Sequence, residues 1–208
     1  MRLINRHPDR SGRLLLILLP FALLLFAYFV GSAQRLADNP NDKLLPSASQ
    51  MGAAIERLAF TEDKRSGNYL FWQDSAASLK RLAMGIGIAA LVGLCLGIAA
   101  GTLPLFSAPL SPLLTVLSMV PPLAILPILF IVFGLGELSK VMLIVIGITP
   151  VLARDLEQRA REIPPELLIK AQTLGASTWT LILRVVLPQI LPRLLIALRL
   201  VLGSAWLF

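Results

Sequence analysis

The longest stretch of this sequence without a charged side chain covers residues 82–136, which is 55 residues. As one α-helix it would be about 80 Å long, whereas the apolar core of a bilayer is about 30 Å thick. Only 15% of the chain is charged, against about 25% in an average soluble domain. The stretch therefore predicts a membrane-embedded chain that turns back at least once.

Two further uncharged runs, residues 14–34 and 141–153, extend this pattern. Together the three runs predict an all-α integral membrane protein with about five transmembrane helices. The expected spans are residues 14–33, 82–103, 113–133, 138–153 and 185–208.

Two groups of prolines divide the central region. The first group is expected to break the helix and to leave a short turn over residues 104–112. The second is expected to kink or partly unwind the third span, where the candidate pathway-lining residues lie. The first group is Pro104, Pro109 and Pro112, and the candidate pathway residues are Met119, Pro121, Pro122 and Pro127.

Four arginines precede the first span and predict a cytoplasmic N-terminus. They are Arg2, Arg6, Arg10 and Arg13. A cleaved signal peptide is the alternative, but the apolar stretch 14–30 exceeds the usual 7 to 15 residues. The predicted organisation is 1–33 as N-terminus and first span, 34–81 as a polar extracytoplasmic segment, and 82–208 as a core with a cytoplasmic loop at 154–184.

Several kinds of chemistry have no visible basis in the sequence. The net charge of +7 is spread among the ends of apolar spans, which does not favour nucleic-acid binding. The chain has one Cys and one His and no phosphate-binding loop or metalloprotease motif, so we expect no catalytic residue, bound metal or cofactor. Spans two to four lack ionisable groups near mid-bilayer, so energy for any transport is expected from another subunit.

Small residues recur every fourth position in the second span and place a smooth face on that helix. Two interpretations remain open, packing within the chain and a moving or dimeric interface. The helix-packing residues are Gly85, Ala89, Gly93, Gly97 and Gly101. Cys95, in the same helix, is expected to be a small core residue.

A short helix is predicted in the loop at 154–184. Pro165 suits a first helical turn, Glu166 favours its positive end, and Gly175 suits a left-handed residue that ends it. The apolar residues Leu167, Leu168, Ala171 and Leu174 form a stripe on this otherwise polar helix. The stripe either packs on its own bundle or the lipid surface, or fits a groove of a partner.

The same segment resembles the cytoplasmic loop of permease subunits in binding-protein-dependent ABC importers. Their pattern is Glu-Ala-Ala, three residues, Gly, nine residues, then Ile-x-Leu-Pro. Here Gly175 is followed after nine residues by Val185-Val186-Leu187-Pro188, whereas Ile169-Lys170-Ala171 keeps only the last Ala. Blocks at 72–79, 132–140, 197–200 and 203–206 are similar to the nitrate, sulfonate, taurine and bicarbonate branch, so the resemblance covers about 71–208.

The resemblance implies a type I ABC importer permease-like bundle in the bacterial plasma (inner) membrane. It implies a permease homodimer, cytoplasmic ATPase subunits that carry ATP and Mg²⁺, and an extracytoplasmic solute-binding protein. Such permeases usually continue beyond the position of Phe208, so a C-terminal truncation is expected. The residues expected to couple to the ATPase are Glu166, Lys170, Ala171, Gly175, Ala176, Leu187 and Pro188.

The function predicted from these features is a transport subunit without its own ATPase site. The solute would be nitrate, a sulfonate such as taurine, bicarbonate or a similar small compound. A non-transporting membrane scaffold that anchors a cytosolic partner is the alternative, and a secondary carrier is disfavoured by the uncharged spans.

Overall fold

The computed structural model describes residues 8–40, 42–64 and 67–208. Its regular structure is helical throughout these residues, which confirms the all-α prediction. Arg2, Arg6 and His7 lie outside the described residues. The helices are α1 (Arg10–Asp38), α2 (Ala48–Ala59), α3 (Leu70–Thr102), α4 (Pro104–Met119), α5 (Leu126–Phe133), α6 (Glu137–Arg161), α7 (Pro165–Thr173), α8 (Thr178–Leu181) and α9 (Leu187–Trp206).

The chain forms two compact units, Met1–Asp74 and Ser75–Phe208. In the first, the segment after α1 folds back on the end of that helix. The Tyr28 hydroxyl donates to the Pro46 carbonyl at 2.7 Å, and Ser32 donates to the Leu45 carbonyl at 2.9 Å. Ser47 and Gln50 then form a capping box that starts α2. The apolar part of α1 stays exposed within the chain, as expected for a lipid-facing helix.

In the second unit, α3 packs its small residues directly against α6. A methyl group built on Gly85 would lie 2.6 Å from Ile144 Cγ2, and one on Gly101 would lie 2.5 Å from Ala160 Cβ. Ala89 is fully buried in a cluster with Ile144. Of the two interpretations left open by the sequence, packing within the chain accounts for this face. Cys95 is exposed, so its predicted core position is wrong.

The core of the second unit lies where α6 meets α9. Its central side chains have at most 1% of their surface exposed, since both helices turn apolar faces toward each other. The most buried large residues are Leu143, Ile148, Leu152, Leu156, Val186 and Ile190.

Over residues 104–112 the prolines do not produce the predicted turn. The helix breaks at Leu103, which is extended as residues before proline tend to be. Pro104 then starts α4, which continues through Pro109 and Pro112, so the predicted turn is wrong. The expected break in the third span is present, because the segments Pro104–Met119 and Pro122–Phe133 meet at 87°.

Within the described residues, three helical segments are long and apolar enough to span a membrane. They are Arg10–Asp38, Leu70–Thr102 and Thr178–Trp206, and the bent pair around Pro121 would make a fourth. The predicted span at 138–153 coincides with the first part of α6. Its uncharged run of thirteen residues reaches only about 20 Å as a helix, so α6 is not one of these segments, and a crossing by α6 stays a prediction.

In the second unit, charged and polar residues near the helix ends form two separate groups. Arg81, at one end of α3, pairs with Glu137 at the start of α6. Arg161, at the other end of α6, donates to Ser107 near the start of α4 at 2.7 Å. This grouping is compatible with the opposite sides predicted for residue 81 and for the loop at 154–184. Which side is cytoplasmic stays a prediction.

Candidate functional site

The loop helix α7 has the bounds that its sequence predicts. Pro165 occupies its first turn, and Gly175 follows its end with φ +80°. The Ala176 N–H donates to the Ala171 carbonyl at 3.0 Å, and the Gly175 N–H donates to the Gln172 carbonyl at 2.9 Å. These two bonds form a Schellman motif, which requires the left-handed residue that glycine adopts without strain.

The apolar stripe of α7 is divided between two environments. Leu168 and Ala171 pack against the core cluster that contains Leu156 and Val186. Leu174, by contrast, has 88% of its surface exposed. Packing on the chain's own bundle therefore explains only one side of this helix, and the other side is open.

Four large apolar side chains of this loop are exposed, and we call this set the loop patch: Leu167, Ile169, Leu174 and Trp179. Trp179 belongs to α8, whose N-terminus is capped by the Ser177 hydroxyl accepting from the Thr180 N–H at 3.2 Å. The exposed fractions of Ile169 and Trp179 are 57% and 72%. A rigid, capped loop thus holds four large apolar side chains away from the core.

The predicted coupling residues do not all share this surface. Glu166, Lys170 and Gly175 are exposed on or directly after α7, and Ala176 is half-buried. Leu187 instead packs against the same core cluster as Ala171. Pro188, exposed in the first turn of α9, follows it. The coupling role of each residue stays a prediction.

A wide π turn at Ile182–Val186 joins α8 to α9, and sequence reasoning missed it. The Leu187 N–H donates to the Ile182 carbonyl, five residues back. Pro188 has no N–H to offer the Arg184 carbonyl, and in a regular α-helix its ring would crowd that oxygen; the wider turn relieves the crowding. The Leu187-Pro188 pair of the motif thereby fixes how the loop rejoins the bundle.

The candidate pathway residues are dispersed. Pro122 lies against α6, since a methyl group built on Gly147 would be 2.8 Å from Pro122 Cβ. Met119, Pro121 and Pro127 are exposed. The structure therefore brings only Pro122 to the core, and a pathway role for the set stays a prediction.

A polar cluster between α4 and α6 was not predicted. Glu157 is buried, with 6% of its surface exposed, and its carboxylate accepts from Ser111 and from Arg161, the latter at 2.6 Å. Arg161 also donates to the hydroxyls of Ser107 at 2.7 Å and Ser111 at 2.8 Å. The spacing of Ser107, Ser111, Thr115 and Ser118 along an uncharged helix was the signal that could have revealed it.

A second ionic group lies at the opposite end of α6. Glu137 pairs with Arg81 and, at 3.2 Å, with Lys140. The hydrogen bond from Arg81 holds the pKa of Glu137 below its ordinary value. This group joins α3 to α6 on the side away from the loop patch.

Comparison with known proteins gives these features a family context. Residues 93–208 match the family described as binding-protein-dependent transport system inner membrane component. The chain is 38% identical over 135 residues to the taurine transport system permease protein of Escherichia coli (strain K12), covering 65% of this chain and 49% of that protein. It is 37% identical over 139 residues to the bicarbonate transport system permease protein of Synechococcus elongatus, covering 66% and 49%.

The nitrate import permease protein of Leptolyngbya laminosa is 36% identical over 139 residues, again covering 66% of this chain and 49% of that protein. The chain thus spans about half the length of the curated relatives it matches. The matched family region includes α4 to α9 and therefore both the loop patch and the polar cluster. The chain belongs to the family of binding-protein-dependent transport system inner membrane components, as a multi-pass membrane protein with curated relatives among taurine, bicarbonate and nitrate permeases.

Proposed function

We propose that this chain is the membrane-spanning subunit of an ATP-driven importer and that the loop patch docks on a separate cytoplasmic ATPase. The single observation that carries the proposal is the exposure of the loop patch on a loop whose Leu168 and Ala171 are packed against the core. Large apolar side chains held on a rigid element are typical anchors of protein interfaces.

The geometry favours transmission of force through the loop. Leu168, Ala171 and Leu187 join α7 and α9 to one core cluster, so a displacement of α7 would reach α9 through packed side chains rather than through a flexible linker. ATP and Mg²⁺ belong to the ATPase in this proposal, and the chain itself contributes no catalytic residue.

The remaining partners follow from the family. A solute-binding protein would deliver nitrate, bicarbonate, a sulfonate such as taurine or a similar small compound from outside the plasma (inner) membrane. Two copies of the permease would enclose the path. The N-terminus and the loop at 154–184 would be cytoplasmic. In a Cys95→Ser background, Gln172→Cys should resist an impermeant thiol reagent added to intact cells, and rapid labelling would contradict this orientation.

The central test is Leu174→Glu in the chain co-expressed with the ATPase encoded by a neighbouring reading frame. A charge at this anchor should weaken co-purification of the ATPase at least tenfold, because burial of a leucine at an interface contributes about 1.5–3 kcal/mol. Leu44→Glu is the matched control, since Leu44 is also strongly exposed but belongs to the polar segment before α2.

The outcomes separate the candidate functions. Loss of both ATPase binding and solute-stimulated ATP hydrolysis in Leu174→Glu alone supports the import proposal. Binding that depends on Leu174 without any solute uptake by the complete assembly would favour the scaffold. Equal binding by both variants would remove the loop patch from the interface.

A further inference from the structure

The cleft between α4 and α6 combines features that the docking of an ATPase does not require. It is an open groove of about 220 Å³, lined by Ser111, Thr115, Arg154, Glu157, Gln158 and Arg161. That volume accommodates several waters or one small oxyanion. We call it the polar cleft.

Its two walls are helical faces with matching periodicity. On α4, four hydroxyl residues follow one another at intervals of four, four and three positions, and α4 itself carries no charged residue. On α6, Arg154, Gln158 and Arg161 are spaced by four and three positions and lie on one face. A polar surface therefore continues for about three turns on α4 and about two turns on α6.

The charges of the cleft do not cancel. Glu157 is the acid that pairs with Arg161. Arg154 reaches Ser118 at 3.5 Å, and in the described part of the chain no carboxylate lies within ion-pair distance of it. Two guanidinium groups and one carboxylate leave one positive charge beside an apolar bundle, where water screens it less than at a fully hydrated surface.

The hydrogen-bond donors also favour an anion. The hydroxyls of Thr115 and Ser118 donate to carbonyls of their own helix, at 2.9 and 2.8 Å. The guanidinium of Arg154 and the exposed amide of Gln158 line the cleft as donors for a guest. The Ser111 hydroxyl donates to Glu157, and Nη2 of Arg161 donates to Glu157, Ser107 and Ser111. Guanidinium groups bind planar and tetrahedral oxyanions well.

We propose that the polar cleft is a low-affinity oxyanion subsite on the solute path, with Arg154 and Gln158 as its binding residues and Glu157 as a positioning residue that holds Arg161. The proposal rests on the proposed import function. It predicts that the imported solute carries a nitrate-, bicarbonate- or sulfonate-like group. A lipid phosphate has related chemistry, and the test distinguishes the two sources.

The test uses the full chain with Cys95→Ser and Thr115→Cys in phosphatidylcholine nanodiscs. Two methanethiosulfonate reagents of similar size are compared, one carrying a sulfonate and one a trimethylammonium group. Their rate ratio reports the local potential, because any change in the thiolate fraction affects both reagents equally. Should Thr115→Cys fail to insert, Ser118→Cys takes its place.

Two further substitutions should move this ratio in opposite directions. Arg154→Gln should lower the preference for the anionic reagent roughly tenfold, as expected for loss of a unit charge a few ångströms away. Glu157→Gln, which removes the compensating negative charge, should raise it. Leu113→Cys, on the exposed apolar side of α4, is the matched control and should respond to neither substitution.

Competition identifies the guest. Potassium nitrate or sodium ethanesulfonate should slow modification of Thr115→Cys more than potassium gluconate does at equal ionic strength. A ratio unchanged by Arg154→Gln, or no excess effect of nitrate and ethanesulfonate over gluconate, overturns the proposal. Slowing by added phosphatidylglycerol without any effect of these two anions also overturns it in favour of a lipid site. No ATPase is needed, so the result is independent of the docking test.

Discussion

Two faces of α6 differ sharply in how they contact their neighbours. Toward α3, the contact is made of glycine against backbone and Cβ atoms, so that a methyl group on Gly97 would lie 2.7 Å from Leu156 Cβ and 2.8 Å from the Ala153 carbonyl oxygen. Toward α4, the contact contains a buried carboxylate, two arginines and several hydroxyls. Helix α6 thus makes a close apolar contact with α3 and a polar contact with α4.

The difference shows that the two contacts respond to different perturbations. The α3 contact depends on steric fit, since protein interiors tolerate extra methylenes poorly. The α4 contact depends on hydrogen bonds that must satisfy a buried charge. Leu114 of α4 packs with Ala100 of α3 and Ala153 of α6, which adds an apolar contact to the polar one.

The largest effect is expected from Gly97→Val. The added side chain meets backbone and Cβ atoms that cannot move independently, so we expect a loss of about 3 kcal/mol in the free energy of unfolding. Thermal unfolding in detergent measures it. Gly87→Val is the control, because a methyl group at Gly87 meets nothing within 4 Å. Equal destabilisation by both variants would mean that α3 does not pack closely on α6.

A smaller effect is expected from Glu157→Ala. The substitution leaves Arg161 and Ser111 without their common acceptor, which should cost about 1–2 kcal/mol because Arg161 is half exposed and keeps access to water. Glu157→Gln retains an acceptor oxygen and should recover part of this loss. If the Ala variant were as stable as the parent, the α4 contact would be held by Leu114 and its apolar neighbours alone.

The smallest effect concerns pH at the exposed end of α6. Because the pKa of Glu137 is lowered from its ordinary 4.5 by its hydrogen bond with Arg81, the stability from this pair is present above that value and is lost as the pH falls through the lowered pKa. Arg81→Gln should therefore reduce the melting temperature slightly at pH 7 and by less at an acidic pH below the lowered pKa. An equal reduction at both pH values would contradict an electrostatic origin.

Much of the candidate site could be predicted from local sequence. The start of α7 at Pro165 and the left-handed Gly175 depend on the backbone preferences of those residues and their immediate neighbours. The division of the α7 stripe could not be predicted, because Leu168 and Leu174 have the same side chain and only the position of the core determines which of them is covered.

The fold likewise has features that local sequence predicts and features that it does not. Uncharged runs determined by themselves that the chain is helical and membrane-embedded, because the bilayer requires every backbone group to be bonded within a helix. They do not by themselves establish a crossing by α6, since its apolar part is short. Tertiary context also carried α4 through Pro109 and Pro112, where local preference predicts a turn.

The sequence by itself determined the membrane-embedded helical class, the smooth face of α3, and the loop helix with its glycine terminus. These follow from hydrophobicity, helical periodicity and the conformational range of single residues. Only the tertiary structure decided that α6 covers the smooth face, that Ser111 of α4 meets Glu157 of α6, and that Leu174 stays exposed. The physical reason is that these are contacts between residues far apart in the chain, and local preferences do not specify which faces of two helices meet.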